Sequence, residues 1–183
     1  FIKPNHMGNL SSRVKKDILP EHNQGMRAVP QILTIRADDF IRTAEKLEEY
    51  GYKEVNLNLG CPSKTVVSKG RGSGFLAYPD RLNAFLEEIF AKPRIRISVK
   101  PRIGVEDPGE FKRILDIYNQ YPMEELIIHP RLQKDFYKNT PNQDVFAEAF
   151  ISSRNAVCYN GDIFTGEDCK RFEKRFPEVT SIM

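Results

Sequence analysis

The sequence predicts an α/β protein folded as a TIM-type (β/α)8 barrel, incomplete in this chain, with the first strand and the end of the last strand missing. Three observations carry that expectation. Apolar runs of strand length alternate with amphipathic helical stretches, which demands a parallel sheet with right-handed crossovers. Strand after strand ends in polar or reactive residues: Asn58 with Cys61, Lys100 with Arg102, His129 with Arg131, and Asn160 with Gly161 and Asp162. A barrel gathers such ends at one mouth, whereas a doubly wound sheet collects them only at its switch point. Finally, the 183 residues hold fewer than eight strands, and a typical barrel needs roughly 250 residues.

Phe1 and Ile2 read as the tail of a strand. The rest of residues 1–28 reads as an irregular solvated segment, polar through Arg13, Lys15, Lys16, Asp17 and Glu21 and stopped at Pro20. Val29 to Ile35 is a near-continuous apolar run, typical of a strand covered on both faces. Gln31 interrupts it, and a buried amide needs partners from backbone or ligand. Asp38 or Asp39 is expected to cap a helix carrying Phe40, Ile41, Ala44 and Leu47 on one face, closed by Gly51.

Val55, Leu57 and Leu59 alternate into the next strand, which Gly60, Cys61 and Pro62 stop abruptly. A thiol is thereby expected at a strand's carboxyl end, with the amide of Asn58 beside it. Ser63 to Gly74 has glycines at 70, 72 and 74, but not in the G-x-G-x-x-G spacing of a nucleotide loop. It reads as a mobile loop whose Lys64, Lys69 and Arg71 are available to a polyanion.

Pro79 opens a helix with Leu82, Phe85, Leu86, Ile89 and Phe90 inward, and Ile95 to Lys100 forms the following strand. Asp107-Pro-Gly-Glu110 has the layout of a capping box, opening a helix with Phe111, Ile114, Leu115 and Tyr118 on one side. Glu125 to His129 is a strand, and a polar loop from Gln133 to Asn142 leads to a helix with Val145, Phe146, Ala149 and Phe150 inward. Ala156 to Tyr159 is a strand, Thr165 caps the last helix with Cys169, Phe172 and Phe176 as its apolar stripe, and Val179 to Met183 begins another strand.

With 40% apolar and 29% charged residues, the composition is that of a soluble globular protein, and no run is long enough to span a bilayer. The first residues lack a signal or transit pattern, and both abrupt ends read as those of a piece of a longer protein. Cys61, Cys158 and Cys169 have no C-x-x-C spacing, which argues against a disulfide scaffold or zinc site and fits a reducing, cytoplasmic compartment. Cys158 and Cys169 read as core residues. Three scattered histidines argue against a metal. The net charge of +3 permits nucleic-acid binding without requiring it.

Taken together, the strand ends have a chemical theme. Lysine and histidine can stabilise an anionic ring or its phosphate, Gln31 can bond an amide-like edge, and Asn160-Gly161 can turn backbone N–H groups toward phosphate. That set suits flavin mononucleotide (FMN) better than a metal.

Asn58-Leu-Gly-Cys-Pro62 followed by a lysine- and glycine-rich loop, Val99-Lys-Pro-Arg-Ile-Gly104, Ile128-His-Pro-Arg131 and Tyr159-Asn-Gly-Asp162 strongly resemble the tRNA-dihydrouridine synthases in order and spacing, from about Gln31 to Met183. The resemblance implies an FMN-dependent oxidoreductase that reduces the C5–C6 double bond of a uridine in tRNA, with NADPH as reductant. Cys61 matches the general acid that protonates C5 as hydride passes from flavin N5 to C6. Gln31 is implied to contact the isoalloxazine, Lys100 its N1–C2 oxygen region, and His129 the ribityl-phosphate side. Asn160, Gly161 and Asp162 fall near the phosphate. Asn58, Arg102 and Arg131 match contacts to the flipped uridine and its backbone, while Lys64, Lys69 and Arg71 would steer phosphates. A thiol on a hinged loop can be withheld until substrate arrives.

The family's first strand with its flavin-contacting loop, the glycine-arginine segment expected after Met183 and the C-terminal helical tRNA-binding domain are absent from the sequence. Residues 1–183 are thus expected to be a partial FMN-binding barrel domain, inactive and a poor FMN binder alone. Two rival readings remain open: another FMN barrel, such as a dihydroorotate or enoate reductase acting on a small molecule, and a non-catalytic RNA-binding barrel.

Overall fold

Five parallel strands form the framework of the computed structural model, which describes residues 1–4, 10–92 and 94–183. They are β1 (Gln31–Ile32), β2 (Glu54–Leu59), β3 (Arg96–Pro101), β4 (Leu126–Ile128) and β5 (Val157–Tyr159). Their spatial order is β1-β2-β3-β4-β5. Each crossover therefore advances one place in the same direction, which is the winding of a barrel and not of a doubly wound sheet. Single bridges extend both margins in parallel, Ile2 with Ile32 and Ile182 with Tyr159. The fold is an incomplete (β/α)8 barrel.

The helices are α1 (Ser12–Ile18), α2 (Ala37–Glu49), α3 (Lys64–Val67), α4 (Pro79–Ala91), α5 (Glu110–Tyr118), α6 (Gln143–Ser152) and α7 (Gly166–Arg175). Helix α2 packs on α4, α4 on α5, and α5 on α6, a ring following the strands. Between ring and sheet lies the core. Val55, Leu57, Leu59, Ile97, Val99, Leu126 and Ile128 meet Phe40, Leu47, Leu82, Phe85 and Ile114 there. Phe85 makes edge contacts to Phe40 and Phe75, and Tyr159 packs against Phe146 and Phe172.

Several elements differ from expectation, each for a physical reason. The segment expected to be irregular contains α1, because Ser11 caps it by accepting from the Val14 amide and Ile18 is buried. Residues 5–9 of that segment lie outside the described residues. Strand β1 is only two residues long: Pro30 has no N–H for the ladder, although its carbonyl still accepts from Asn56. Neither Asp38 nor Asp39 caps α2; Arg36 holds the cap position and both acids lie in the first turn, where the helix dipole favours them. Asp39 is buried there and pairs with Arg36 and Arg42.

Around Asp107 only half of the expected box forms, because the Asp107 side chain does not reach the Glu110 amide, and α5 starts later, at Glu110. Asp107 Oδ1 accepts from Gly109 N at 2.7 Å and Glu110 Oε1 accepts from Asp107 N at 2.9 Å. Cys158 is buried, but Cys169 is half-exposed and donates to Glu173, so it is not a core residue. The Thr165 cap forms, with Asp168 completing the box.

Candidate functional site

The site grows from alternation along the strands. Outward positions of β2 and β3 are apolar, so the residues between them, Asn56, Asn58, Ser98 and Lys100, turn to the barrel interior with Gln31 of β1. Inward polar side chains must find partners. Gln31 donates to Asn56 at 2.8 Å, Asn56 to Ser98 at 3.0 Å and Asn58 to Gln31 at 2.6 Å. Three strands are thereby cross-linked by a polar layer where most barrels pack branched apolar residues.

At the end of β2, Asn58 Oδ1 accepts from the amides of Gly60 at 3.1 Å and Cys61 at 3.0 Å. This side-chain turn fixes where the chain leaves the strand. The Cys61 carbonyl accepts from both Ser73 N at 3.1 Å and Ser73 Oγ at 3.0 Å. Gly72 makes that approach possible: its φ is +57°, and a Cβ there would lie 2.6 Å from the Cys61 carbonyl oxygen. Residues 63–74 are therefore not the mobile loop expected from their glycines. They form α3 and the start of a 3-10 turn over Gly72–Ala77, with Gly72, Ser73 and Gly74 buried. The Cys61 loop is buckled in place and not hinged, because its backbone groups are engaged from two sides.

On β3 to β5, Lys100 Nζ donates to Asn160 Oδ1. Burial pulls the Lys100 ammonium below its usual range. His129 is pushed down to about 3, first by burial and then by Arg102, Lys100 and Arg131 around it. Its Nε2 lies 3.0 Å from Arg131 Nη1. Guanidinium only donates, so Nε2 must accept and the proton resides on Nδ1. Nδ1–H has no partner among the described residues and is a donor available to a ligand.

Arg131, only 5% exposed, spends its other donors on Asp162 and on the carbonyls of Lys138 and Asn139. Its fork to Asp162 is bidentate, at 2.9 and 2.6 Å. Asp162 thus faces a cation of its own chain. Gly161 abuts the Tyr159 ring, where a Cβ would meet the hydroxyl oxygen at 2.5 Å. Arg102 is 0% exposed. Nε donates to Gly60 O at 2.9 Å and Nη1 to Leu132 O at 2.7 Å, while Nη2 donates to Phe136 O.

These strand ends enclose one cavity of about 520 Å³, bounded by Gln31, Asn58, Cys61, Lys100, Arg102, His129, Arg131, Asn160, Gly161 and Asp162 among others. Lys64, Lys69 and Arg71 do not line it; Lys64 and Lys69 are exposed and Arg71 half-buried outside it. The cavity wall also contains Tyr137, Ile163 and Phe164, which sequence reasoning missed. Tyr137 was visible only as an aromatic in a polar loop. Ser73, which clamps Cys61, carried no local signal. Among the described residues no group of three His, Cys, Asp or Glu could hold a metal ion, and no helix is long and apolar enough to cross a membrane.

Comparison with known proteins adds an independent finding. A family model described as "Dihydrouridine synthase (Dus)" matches residues 4–176. The chain is 29% identical over 154 residues to a protein of Pasteurella multocida named "tRNA-dihydrouridine synthase B", covering 83% of this chain and 46% of that one. It is 28% identical over 162 residues to a Staphylococcus aureus protein named "Probable tRNA-dihydrouridine synthase", covering 78% and 49%. A Pseudomonas putida protein named "tRNA-dihydrouridine(16) synthase" is 27% identical over 162 residues, with 84% and 50% covered. The chain spans about half the length of these curated relatives.

Proposed function

This chain belongs to the dihydrouridine synthase family, and on that premise we propose that the whole protein is an FMN-dependent oxidoreductase. It reduces the C5–C6 bond of a uridine in tRNA to dihydrouridine, with NADPH as reductant, in the cytoplasm. The observation that carries the proposal is the convergence of Cys61, Lys100, His129 and Asn160 on one cavity at the strands' carboxyl ends.

The donor set fits FMN. Lys100 supplies a cation for the electron-rich N1–C2 edge of a flavin, and its depressed affinity for a proton leaves it sensitive to an anionic neighbour. His129 supplies Nδ1–H toward the ribityl-phosphate side. Gln31 keeps one amide proton and one lone pair after its bonds to Asn56 and Asn58, enough for one ring contact. Asn160 and Gly161 close the phosphate side, while Asp162 repels phosphate itself and so acts through Arg131. When bound, FMN supplies the hydride.

The chain's own residues supply the rest. Cys61 holds the proton on Sγ and releases it to C5, a general-acid step typically worth about 10²–10⁴ in rate. Asn58 and Ser73 fix the loop on which that thiol rides, so its position is set before substrate arrives. Asn58 and Arg131 remain candidates for contact with the uracil. Asn58 has one amide proton uncommitted, whereas Arg131 must release a present partner to reach substrate. Lys64, Lys69 and Arg71, outside the cavity, suit the phosphates of a tRNA whose target base has been extruded.

Mapping dihydrouridine in tRNA from cells lacking the parent gene tests the reading. Loss of dihydrouridine at defined positions, restored by the intact gene, is the expected result. An unchanged tRNA map overturns it.

A further inference from the structure

We propose that Arg102 is a positioning residue that ties the Cys61 loop to the loop over Leu132–Tyr137, so that the two loops set the thiol's position jointly. The proposal rests on the functional reading above for its catalytic consequence, but not for its structural part. Arg102 follows β3 directly, and its guanidinium is fully enclosed. One edge donates to Gly60 O at 2.9 Å, immediately before Cys61, and the other reaches Leu132 O at 2.7 Å and Phe136 O.

Nothing in that set is a side-chain acceptor. The planar fork joins carbonyls of two loops that are about 70 residues apart in sequence, which a lysine's single ammonium cannot reproduce. Phe136 sits at φ +51°, a conformation costly for a non-glycine residue, and its carbonyl is one that Arg102 captures. The far loop is braced from its other side by Asp135, which accepts from Leu132 N at 2.9 Å and from Asn139 Nδ2 at 2.7 Å. The ring of Tyr137 lies 5.4 Å from the guanidinium carbon. Three of the five guanidinium donors are so engaged in a side chain that is 0% exposed, and its consequence for the reaction runs through Gly60 to Cys61.

The test uses the full-length protein and two readouts. The first is the rate of Cys61 alkylation by iodoacetamide, measured by peptide mass spectrometry with Cys169 on α7 as internal reference. Arg102→Lys should raise the Cys61 rate about tenfold relative to Cys169, the factor set by losing one charge-assisted hydrogen bond. The second is single-turnover kinetics: oxidation of the reduced flavin by tRNA should slow at least tenfold, with flavin reduction by NADPH and FMN content unchanged. A flat Cys61 rate, or an equal loss of both half-reactions together with FMN, overturns the proposal.

Should Arg102→Lys not fold, Asp135→Asn carries the test, since it loosens the far loop and, although it removes a charge that acts on Arg102, leaves all three Arg102 acceptors in place. It should raise the Cys61 rate about threefold; no change contradicts the tie. Where both variants fold, Asp135→Asn should add nothing in the Arg102→Lys background, and an equal effect in both backgrounds overturns coupling through Arg102. Alkylation needs no turnover, so a failed tie and a failed uridine reading give different results.

Discussion

The two faces of β2 and β3 lie one residue apart along the same strands and do opposite work. The outward face, Val55, Leu57, Leu59, Ile97 and Val99, is apolar and buried against helices. The inward face, Asn56, Asn58, Ser98 and Lys100, is polar and held by directed hydrogen bonds, and its Asn58 and Lys100 line the cavity. Burial is non-directional and tolerates volume-conserving change, whereas the inward network fails when any partner loses its geometry. Stability should therefore reside mainly outside and reactivity mainly inside.

Substitutions on the two faces should split those quantities. Leu57→Ala, at a site of 0% exposure, should cost about 2–5 kcal/mol by leaving a cavity in the packed layer. Denaturant unfolding measures it, and a cost under about 1 kcal/mol would break the comparison at its outer side. Gly72→Ala should cost about 1–3 kcal/mol, because the new methyl would meet the Cys61 carbonyl at a left-handed φ. Its sharper signature is a Cys61 alkylation rate that changes while Cys169 keeps its own, since the displaced groups are those holding the thiol loop.

The smallest expected effect concerns pH. His129, with an ordinary value of 6.5, is depressed to about 3 in the fold by burial and three nearby cations. Between those values the unfolded chain binds a proton that the folded one does not. Stability from this group is therefore fully present above pH 6.5 and falls as pH drops toward 3. The imidazole NMR signals of His129 should stay flat from pH 8 to pH 5, and a midpoint near 6.5 would contradict the depression by burial and neighbouring cations.

What was legible in the sequence follows the same division. The strands were readable because a period of two shows itself locally, and the mouth was readable because residues at successive strand ends must converge once the sheet is parallel. Residues 63–74 were misjudged because their order comes from Ser73 bonding the distant Cys61 carbonyl, which no local pattern displays. Arg102 and Arg131 were legible as cations at strand ends. That their donors are engaged by loop carbonyls and by Asp162 depends on the path of residues 132–139, set by tertiary contacts. Asp39 looked like a cap because local propensity favours one, yet burial beside Arg36 and Arg42 decided its role instead.

Cys61 is proposed to deliver the proton in a flavin-dependent uridine reduction. Its most direct test is Cys61→Ala in the full-length protein, with dihydrouridine formation and flavin reduction by NADPH measured side by side. Dihydrouridine formation should fall by about 10²–10⁴-fold while FMN content and flavin reduction persist. Dihydrouridine formed at the parental rate would contradict it.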